Sequence, residues 1–356
     1  MRNPIQVLSS LTEKSKNESY RFQRLYRNLY NPEFYWLAYK NIYANTGSMT
    51  AGADGTTIDG MSDERIQRII ESMRDKSYLP KPARREYIAK KNSNKKRPLG
   101  IQSGNDKLVQ EVVKMILESI YEPVFKKTSH GFRPNKSCQT ALYQIQKTFT
   151  GTNWFVEGDI HACFDSFNHH TIIRLLRKRI DDEMFLQLIW KFLKAGYMEQ
   201  WTYNRTYSGV PQGSGVSPVL ANVYLHYTLD TWFDYVKKHE FKGEMYMVRY
   251  ADDFVCLFQY ENEARKFYQL LIERLKKFGL EIAEDKSRIL PFGRYKGTKE
   301  SFDFLGFTHY NVTSHWGKYC VLHRTSRKKL KMKREAVKKW LWEHMHESIA
   351  DTIEAL

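Results

Sequence analysis

The stretch Met247-Val248-Arg249-Tyr250-Ala251-Asp252-Asp253-Phe254-Val255-Cys256-Leu257-Phe258 sets two adjacent carboxylates between two short runs of β-formers. Such runs pair as a hairpin when a tight turn joins them, and Ala251-Asp252-Asp253 would be that turn. The bland reading is a solvated turn. A third carboxylate in a similar setting argues against it. Trp154-Phe155-Val156-Glu157-Gly158-Asp159-Ile160 reads as a short strand ending at Asp159. Between 154 and 290 the order is strand, helices, hairpin, helix, strand. That order predicts a split βαβ unit, an antiparallel sheet with helices on one face. It puts Asp159 and the hairpin tip on neighbouring central strands, at one edge.

Composition bounds what such an edge can do. The chain has 356 residues, is 42% hydrophobic and 14% aromatic, and carries 57 Lys+Arg against 40 Asp+Glu, a net charge of +17. It is long enough for two or three subdomains, and its charge favours a polyanionic partner. No apolar run approaches the ~18 residues of a spanning helix, so a membrane partner is not expected. The four cysteines are widely separated and form no Cys-x-x-Cys pair. Zinc and disulfides are therefore not implied, and a reducing cytoplasm fits.

Working outward, the spacing of Tyr20, Phe22, Leu25, Tyr26, Leu29 and Tyr30 suggests a helix with Arg21, Arg24 and Arg27 between them. It is either a solvated basic face or an RNA-contacting arm. Helices are predicted over 63–73, 106–125, 137–149, 184–197, 219–235 and 263–278, with Asn222 and Asp230 on the fifth, and a further strand is expected to start at Leu280-Glu281-Ile282. Residues 84–101 read as two strands joined by a Lys/Asn/Ser turn, a hairpin dense enough in Lys and Arg to grip phosphates. Residues 302–307 read as a strand or hairpin. Nine Lys/Arg and one acid, Glu335, lie between Arg324 and Lys339, which predicts a basic helix suited to a nucleic-acid groove.

These residues permit phosphoryl transfer. Two Mg²⁺ ions about 4 Å apart can activate an attacking oxygen and stabilise a leaving pyrophosphate. Mg²⁺ needs few protein carboxylates because it keeps waters and substrate phosphates in its shell. Asp159 and Asp252 would bridge the ions, Asp253 would stand beside them, and the backbone oxygen of Ile160 would add a ligand. Lys90 and Arg97 would neutralise a triphosphate. Phe164, five residues past Asp159, reads on spacing alone as ordinary packing.

The chain resembles the group II intron-encoded reverse transcriptases (maturases). The resemblance rests on Tyr250-Ala251-Asp252-Asp253, on Glu157-Gly158-Asp159-Ile160 with Cys163-Phe164-Asp165, and on Pro211-Gln212-Gly213 with Ser217-Pro218 and Leu220-Ala221-Asn222. It rests also on Arg97-Pro98-Leu99-Gly100-Ile101 with Asp106-Lys107, on His130-Gly131-Phe132-Arg133-Pro134, and on Phe304-Leu305-Gly306-Phe307. The blocks fall in the family's order and cover roughly residues 20 to 340. Departures include Ser214, Gln102 and His161-Ala162, none of them at the carboxylates.

The resemblance implies an α+β right-hand polymerase: an N-terminal helical extension (1–60), fingers (61–150), a ferredoxin-like palm (151–308) and a helical thumb beginning within 309–356 and incomplete there. It implies RNA-directed DNA synthesis from dNTPs on an RNA template with a DNA primer, and binding to group II intron RNA for splicing and retrohoming. Two Mg²⁺ ions, or Mn²⁺, would sit on Asp159, Asp252, Asp253 and Ile160. Lys90, Arg97, Phe164, Gln212 and Ile160 would contact the nucleotide, with Phe164 now the ring that excludes a 2′-OH. Phe304, Leu305 and Gly306 would form the primer grip, Arg327, Lys328 and Lys331 would hold the duplex, and Lys286 would stand near the active site. A cytoplasmic, nucleoid-associated location in a bacterium is expected, and a homodimer is allowed. The alternatives are an RNA-binding splicing cofactor or a host-domesticated relative in defence or repair. A palm-like nucleotide cyclase is disfavoured, because the basic hairpin and basic helix would have no use there.

Overall fold

The computed structural model describes residues 2–89, 96–149, 151–284, 287–294 and 300–355. Three helices open the chain: α1 (Pro4–Ser15), α2 (Pro32–Ile42) and α3 (Asp63–Arg74). The helix expected around Tyr20–Tyr30 is not there. Arg24 takes a positive φ of 57°, Phe22 bridges Ile180 as extended chain, and only a 3₁₀ turn remains at Tyr26–Tyr30. The apolar spacing is met by burial all the same, with Phe22, Leu25 and Leu29 all in the core. For α3 the expectation holds. Ser62 caps it by accepting from the Arg65 N–H, and Ile66, Ile69, Ile70 and Met73 are buried.

The basic hairpin follows as β1 (Ala83–Ala89) and β2 (Lys96–Ile101), antiparallel, with Ala89 opposite Lys96. Next come α4 (Gly104–Tyr121), α5 (Cys138–Thr148) and β3 (Trp154–Gly158). After β3 stand α6 (Cys163–Ser166), α7 (His169–Leu176) and α8 (Glu183–Lys194). The helix read through Tyr197 stops early. Gly196 takes φ 76° and the chain turns into β4 (Tyr197–Glu199) and β5 (Thr202–Asn204). These complete a four-stranded sheet in the order β2-β1-β4-β5.

The helix expected over 219–235 is interrupted. It runs as α9 (Ser217–Leu225), a π turn (His226–Asp230) and α10 (Thr231–His239). Then come β6 (Met245–Tyr250), β7 (Asp253–Phe258), α11 (Glu261–Lys276) and β8 (Arg288–Pro291). These strands and β3 form an antiparallel sheet in the order β6-β7-β3-β8. By order of appearance that is 2-3-1-4, the split βαβ arrangement. The last strand sits later than expected: Ile282 makes only an isolated bridge with Ile160, and pairing resumes at Arg288.

The chain closes with β9 (Ser301–Phe304), β10 (Phe307–Thr313) and β11 (Tyr319–Thr325), then α12 (Arg327–Glu343) and α13 (Ile349–Ala355). One large core joins α1–α4 to one face of the central sheet and to α7–α11. A smaller core, with Phe155, Val248, Val255, Leu257, Phe292 and Phe302, fills the other face. No described helix is long and apolar enough to cross a membrane.

Candidate active site

Pairing between β3 and β7 ends at Gly158 opposite Phe254. Continuing that antiparallel register one step sets Asp159 opposite Asp253. A Cβ on Gly158 would strike the Phe254 ring, so the glycine lets the two strands close at this edge. On the hairpin, Tyr250 pairs with Asp253, which leaves Ala251-Asp252 as a two-residue turn and makes Asp253 the first residue of β7. Ala251 takes φ 58°, a conformation a non-glycine residue holds only when its surroundings demand it.

The surroundings do so. Arg249 is fully buried, although it lies in an apolar strand. Its Nε and Nη2 donate to the two oxygens of Asp230 at 2.7 and 2.6 Å, and its Nη1 donates to Asn222 Oδ1 at 3.1 Å and to the Ala251 carbonyl at 2.7 Å. Asn222 in turn donates to the Gly131 carbonyl at 2.9 Å. The backbone of Arg249 is bonded on both sides to 128–130, accepting from the His130 N–H and donating to the Thr128 carbonyl, each at 2.8 Å. A Cβ on Gly131 would overlap the Ala251 nitrogen. The 130–134 loop is itself fixed. The His130 ring bridges Thr140 and Gln144 at 2.8 and 2.6 Å, and Arg133 binds Glu122 and the carbonyls of Lys126 and Ser129. The π turn carries Asp230 to Arg249, an example of π geometry serving a site.

Helical periodicity puts Asn222 and Asp230 on one helix without assigning them a role, and it does not single out Arg249. The signal was available: a charge inside an apolar central-strand run requires a buried partner.

A cleft of about 870 Å³ opens over this edge. Asp159, Asp252, Asp253, Ile160, Phe164, Gln212, Arg97 and Phe304 all line it. Ile160 lies where the strand's hydrogen bonding leaves its carbonyl facing the hairpin. Its neighbours bond toward 281–283, with the Asp159 carbonyl accepting from Ala283 and the His161 N–H donating to Glu281, each at 2.8 Å. Peptide groups alternate in direction along a strand, so the Ile160 carbonyl points to the β7 side.

The Phe164 ring stands edge-on to Phe132, centroids 6.1 Å apart. Its backbone is held by the Val210 N–H, which donates to the Phe164 carbonyl at 2.8 Å. Gln212 is tied to β2, its carbonyl accepting from the Gly100 N–H at 2.6 Å. Arg97 is exposed at the cleft's rim. Lys90 and Lys286 lie outside the described residues.

Leu305 and Gly306, at φ 52° and 82°, form the β9–β10 turn. That turn docks on the start of α12, where Ser326 N–H donates to the Gly306 carbonyl at 3.1 Å and Lys329 Nζ donates to the Leu305 carbonyl at 3.4 Å. Arg327, Lys328 and Lys331 are exposed on α12, which buries no residue. Leu305, Gly306 and these cations do not line the cleft.

The edge is electronegative. Burial first, and then the charge of Asp252, holds the Cys163 thiol well above its ordinary range. Burial also raises Glu157, offset by Arg288 at 2.7 Å. Among the described residues no group of three or more His, Cys, Asp or Glu side chains is assembled as a metal site. The donors at the edge are oxygens, three carboxylates and one carbonyl, the set that suits a hard divalent cation whose remaining ligands come from substrate phosphate and water.

The profile of the family described as reverse transcriptase (RNA-dependent DNA polymerase) matches residues 88–309, more than half of the chain. The group II intron-encoded protein LtrA of Lactococcus lactis subsp. cremoris is 54% identical over 227 residues, which span 64% of this chain and 38% of LtrA. The chain thus matches well under half of that relative's length. Protein YkfC of Escherichia coli K12 is 33% identical over 280 residues, 69% of this chain and 73% of YkfC. A solved telomerase from Candida albicans, in complex with a TWJ fragment of telomeric RNA, aligns with TM-score 0.50 and 14% identity over 65% of this chain and 44% of that one. That likeness concerns the fold, and it agrees with the right-hand polymerase architecture. By its matched profile and its relatives, the chain belongs to the reverse transcriptase family.

Proposed function

We propose that the chain is an RNA-directed DNA polymerase that adds dNTPs to a primer 3′ end on an RNA template. The observation that carries this reading is the single cleft lined by Asp159, Asp252, Asp253, Phe164, Gln212 and Arg97. Two Mg²⁺ ions bound there, or Mn²⁺, would supply a more acidic 3′ hydroxyl and charge compensation for the pyrophosphate. Asp159, Asp252 and Asp253, with the Ile160 carbonyl, would hold them. Arg97, exposed at the cleft's rim, would meet the triphosphate, and Lys90 would add a second cation. Phe164 would set its ring beneath the sugar, and Gln212 would border the nucleotide. The Phe304–Gly306 turn would grip the primer, and Arg327, Lys328 and Lys331 would contact the duplex backbone. The segments 1–60, 61–150, 151–308 and 309–356 would serve as N-terminal extension, fingers, palm and start of the thumb.

The test is primer extension on an RNA template with dNTPs and Mg²⁺, repeated with Asp252→Ala and Asp253→Ala. Extension by the parent and loss in both variants are expected. A parent protein without extension overturns the reading.

A second reading is favoured by a separate observation. A cleft of about 640 Å³ near the N-terminus is lined by Arg2, Lys14, Arg24 and Arg27 with no carboxylate. Together with the +17 charge it supports binding to structured RNA, group II intron RNA above all, in splicing and retrohoming at the nucleoid. RNA binding that survives the double aspartate substitution distinguishes that role from the polymerase.

A further inference from the structure

Phe164 rides on α6, a helix of four residues. One turn is too short to hold its own place, and the carbonyls at its end have no partner within it. A strap at 208–210 supplies them. The Val210 N–H donates to the Phe164 carbonyl at 2.8 Å, and the Gly209 N–H donates to the Phe167 carbonyl at 2.7 Å. Ser208 Oγ donates to the Asp165 carbonyl at 3.2 Å. The fit is close. Gly209 takes φ 82°, and a Cβ there would lie 2.9 Å from the Asp165 backbone and from the Phe164 carbonyl oxygen.

The strap has an anchor of its own. His169, the first residue of α7, is 1% exposed, and its Nε2 lies 2.7 Å from the Gly209 carbonyl oxygen. A carbonyl only accepts, so Nε2 carries the proton. Nδ1 is buried without a hydrogen-bond partner among the described residues, and burial pushes the ring's pKa down. The ring is therefore neutral, with its tautomer fixed by the Gly209 bond. Its backbone is held by Asn168, which caps α7 by accepting from the Thr171 N–H at 3.0 Å. The Trp190 ring stands edge-on to it, centroids 6.1 Å apart.

We infer that His169 is a positioning residue for sugar selection: its Nε2–H holds the Gly209 carbonyl, the strap holds α6, and α6 holds the Phe164 ring at its place in the cleft. The inference rests on the polymerase reading and on Phe164 as the ring beneath the sugar. Phe164 meets the rings of Phe132 and Phe167 at centroid distances of 6.1 and 6.0 Å and opens on the cleft. With one side of the ring open, its position depends on the backbone beneath it.

The experiment measures kcat/KM for a dNTP and for the matching rNTP on one RNA template, with the full chain. His169→Phe keeps the bulk of the ring and removes the donor. It should lower discrimination about fivefold, the effect of losing one hydrogen bond, by raising rNTP incorporation. Loss of folded protein lowers both rates together, so a purely structural role does not move the ratio. His169→Gln can still donate and should restore most of the discrimination. In a Phe164→Val background, His169→Phe should change the ratio no further, because the path ends at that ring. Ser208 is exposed, so Ser208→Ala removes one strap bond without touching the core, and it should move the ratio the same way by about twofold. A parental ratio in His169→Phe overturns the inference, as does an equal further fall in the Phe164→Val background. If His169→Phe does not fold, a parental ratio in Ser208→Ala overturns it. Each of these outcomes leaves the polymerase reading standing, whereas a parent protein without extension overturns both.

Discussion

Two hairpins meet the catalytic cleft with opposite charge and opposite support. The acidic one, β6–β7, is buried along most of both strands, and its turn is held by Arg249, Asp230 and Asn222. Among its described residues the basic one, β1–β2, buries only Ala83 and leaves Tyr87 and Ile88 about half exposed. The difference fits the role proposed for each charge. Neighbouring carboxylates repel one another and must be placed to fractions of an ångström to share cations, so the fold has to impose their geometry. Cations facing a polyanion act through long side chains that adapt to it. Buried support is therefore concentrated on one side of the cleft.

The sharpest way to break the comparison is at the carboxylates themselves. Asp252→Asn keeps the size of the side chain and removes its charge. Single-turnover extension should fall on the order of 10²–10³-fold or more, with template affinity by anisotropy unchanged. A matching loss of affinity would instead assign Asp252 to template binding.

The brace comes next. Arg249→Met leaves Asp230 charged and fully buried without its partner. Breaking one side of such a pair costs about 3–5 kcal/mol, and urea unfolding should show it. Arg249→Lys keeps the charge but cannot reproduce the paired bonds, so it should lie between parent and Met in both stability and extension rate. Equal stability of parent and Met would mean that the turn is held by the strands alone.

On the basic side, Arg97→Ala should raise the KM for dNTP by about 10–100-fold, the range of a hydrogen bond to a charged group, and leave unfolding unchanged. High salt should narrow the gap between Arg97→Ala and parent, since exposed charges are screened. A stability loss comparable to that of Arg249→Met would erase the distinction between the hairpins.

The two sides also differ in how plainly they could be read in the sequence. Short strand-forming runs and turn chemistry exposed both hairpins, and strand order led to the 2-3-1-4 sheet and to Asp159 at its edge. The β4–β5 hairpin escaped because each strand has three residues and depends on pairing with β1, a contact remote in sequence. The Tyr20–Tyr30 segment has helical spacing, but Phe22 is held extended against Ile180 and only a 3₁₀ turn forms at Tyr26–Tyr30. The brace escaped because its parts, Gly131, Asn222, Asp230 and Arg249, meet only in the folded chain. Pattern reading finds elements, whereas a buried polar network is a property of their packing.

Phe164 tests whether the cleft's geometry extends from the metal edge to the sugar. Phe164→Val removes most of a ring that only partly packs on the core. Discrimination between dNTP and rNTP should fall by about 10-fold or more, within the range of shape selection in a pocket, with little change in stability. Unchanged discrimination returns the ring to a packing role.

A further expected effect lies behind the acidic hairpin and separates its support from its chemistry. His226, in the π turn beside Asp230, has its pKa pushed down to about 4, chiefly by burial. Its ring packs edge-on to Phe125 with centroids 5.4 Å apart. Unfolding releases the ring to an ordinary pKa near 6.5, so between pH 6.5 and 4 the unfolded chain binds more protons. Stability is therefore full above about pH 6.5 and declines as pH falls toward 4. His226→Phe cannot titrate, so it should flatten that decline in urea unfolding followed across this window. The basic hairpin contains no histidine among its described residues, and an Arg97→Ala protein should follow the parental pH curve. A His226→Phe protein with the parental curve would move the acid sensitivity to another buried histidine, of which His309, pushed down to about 3, is the next to replace.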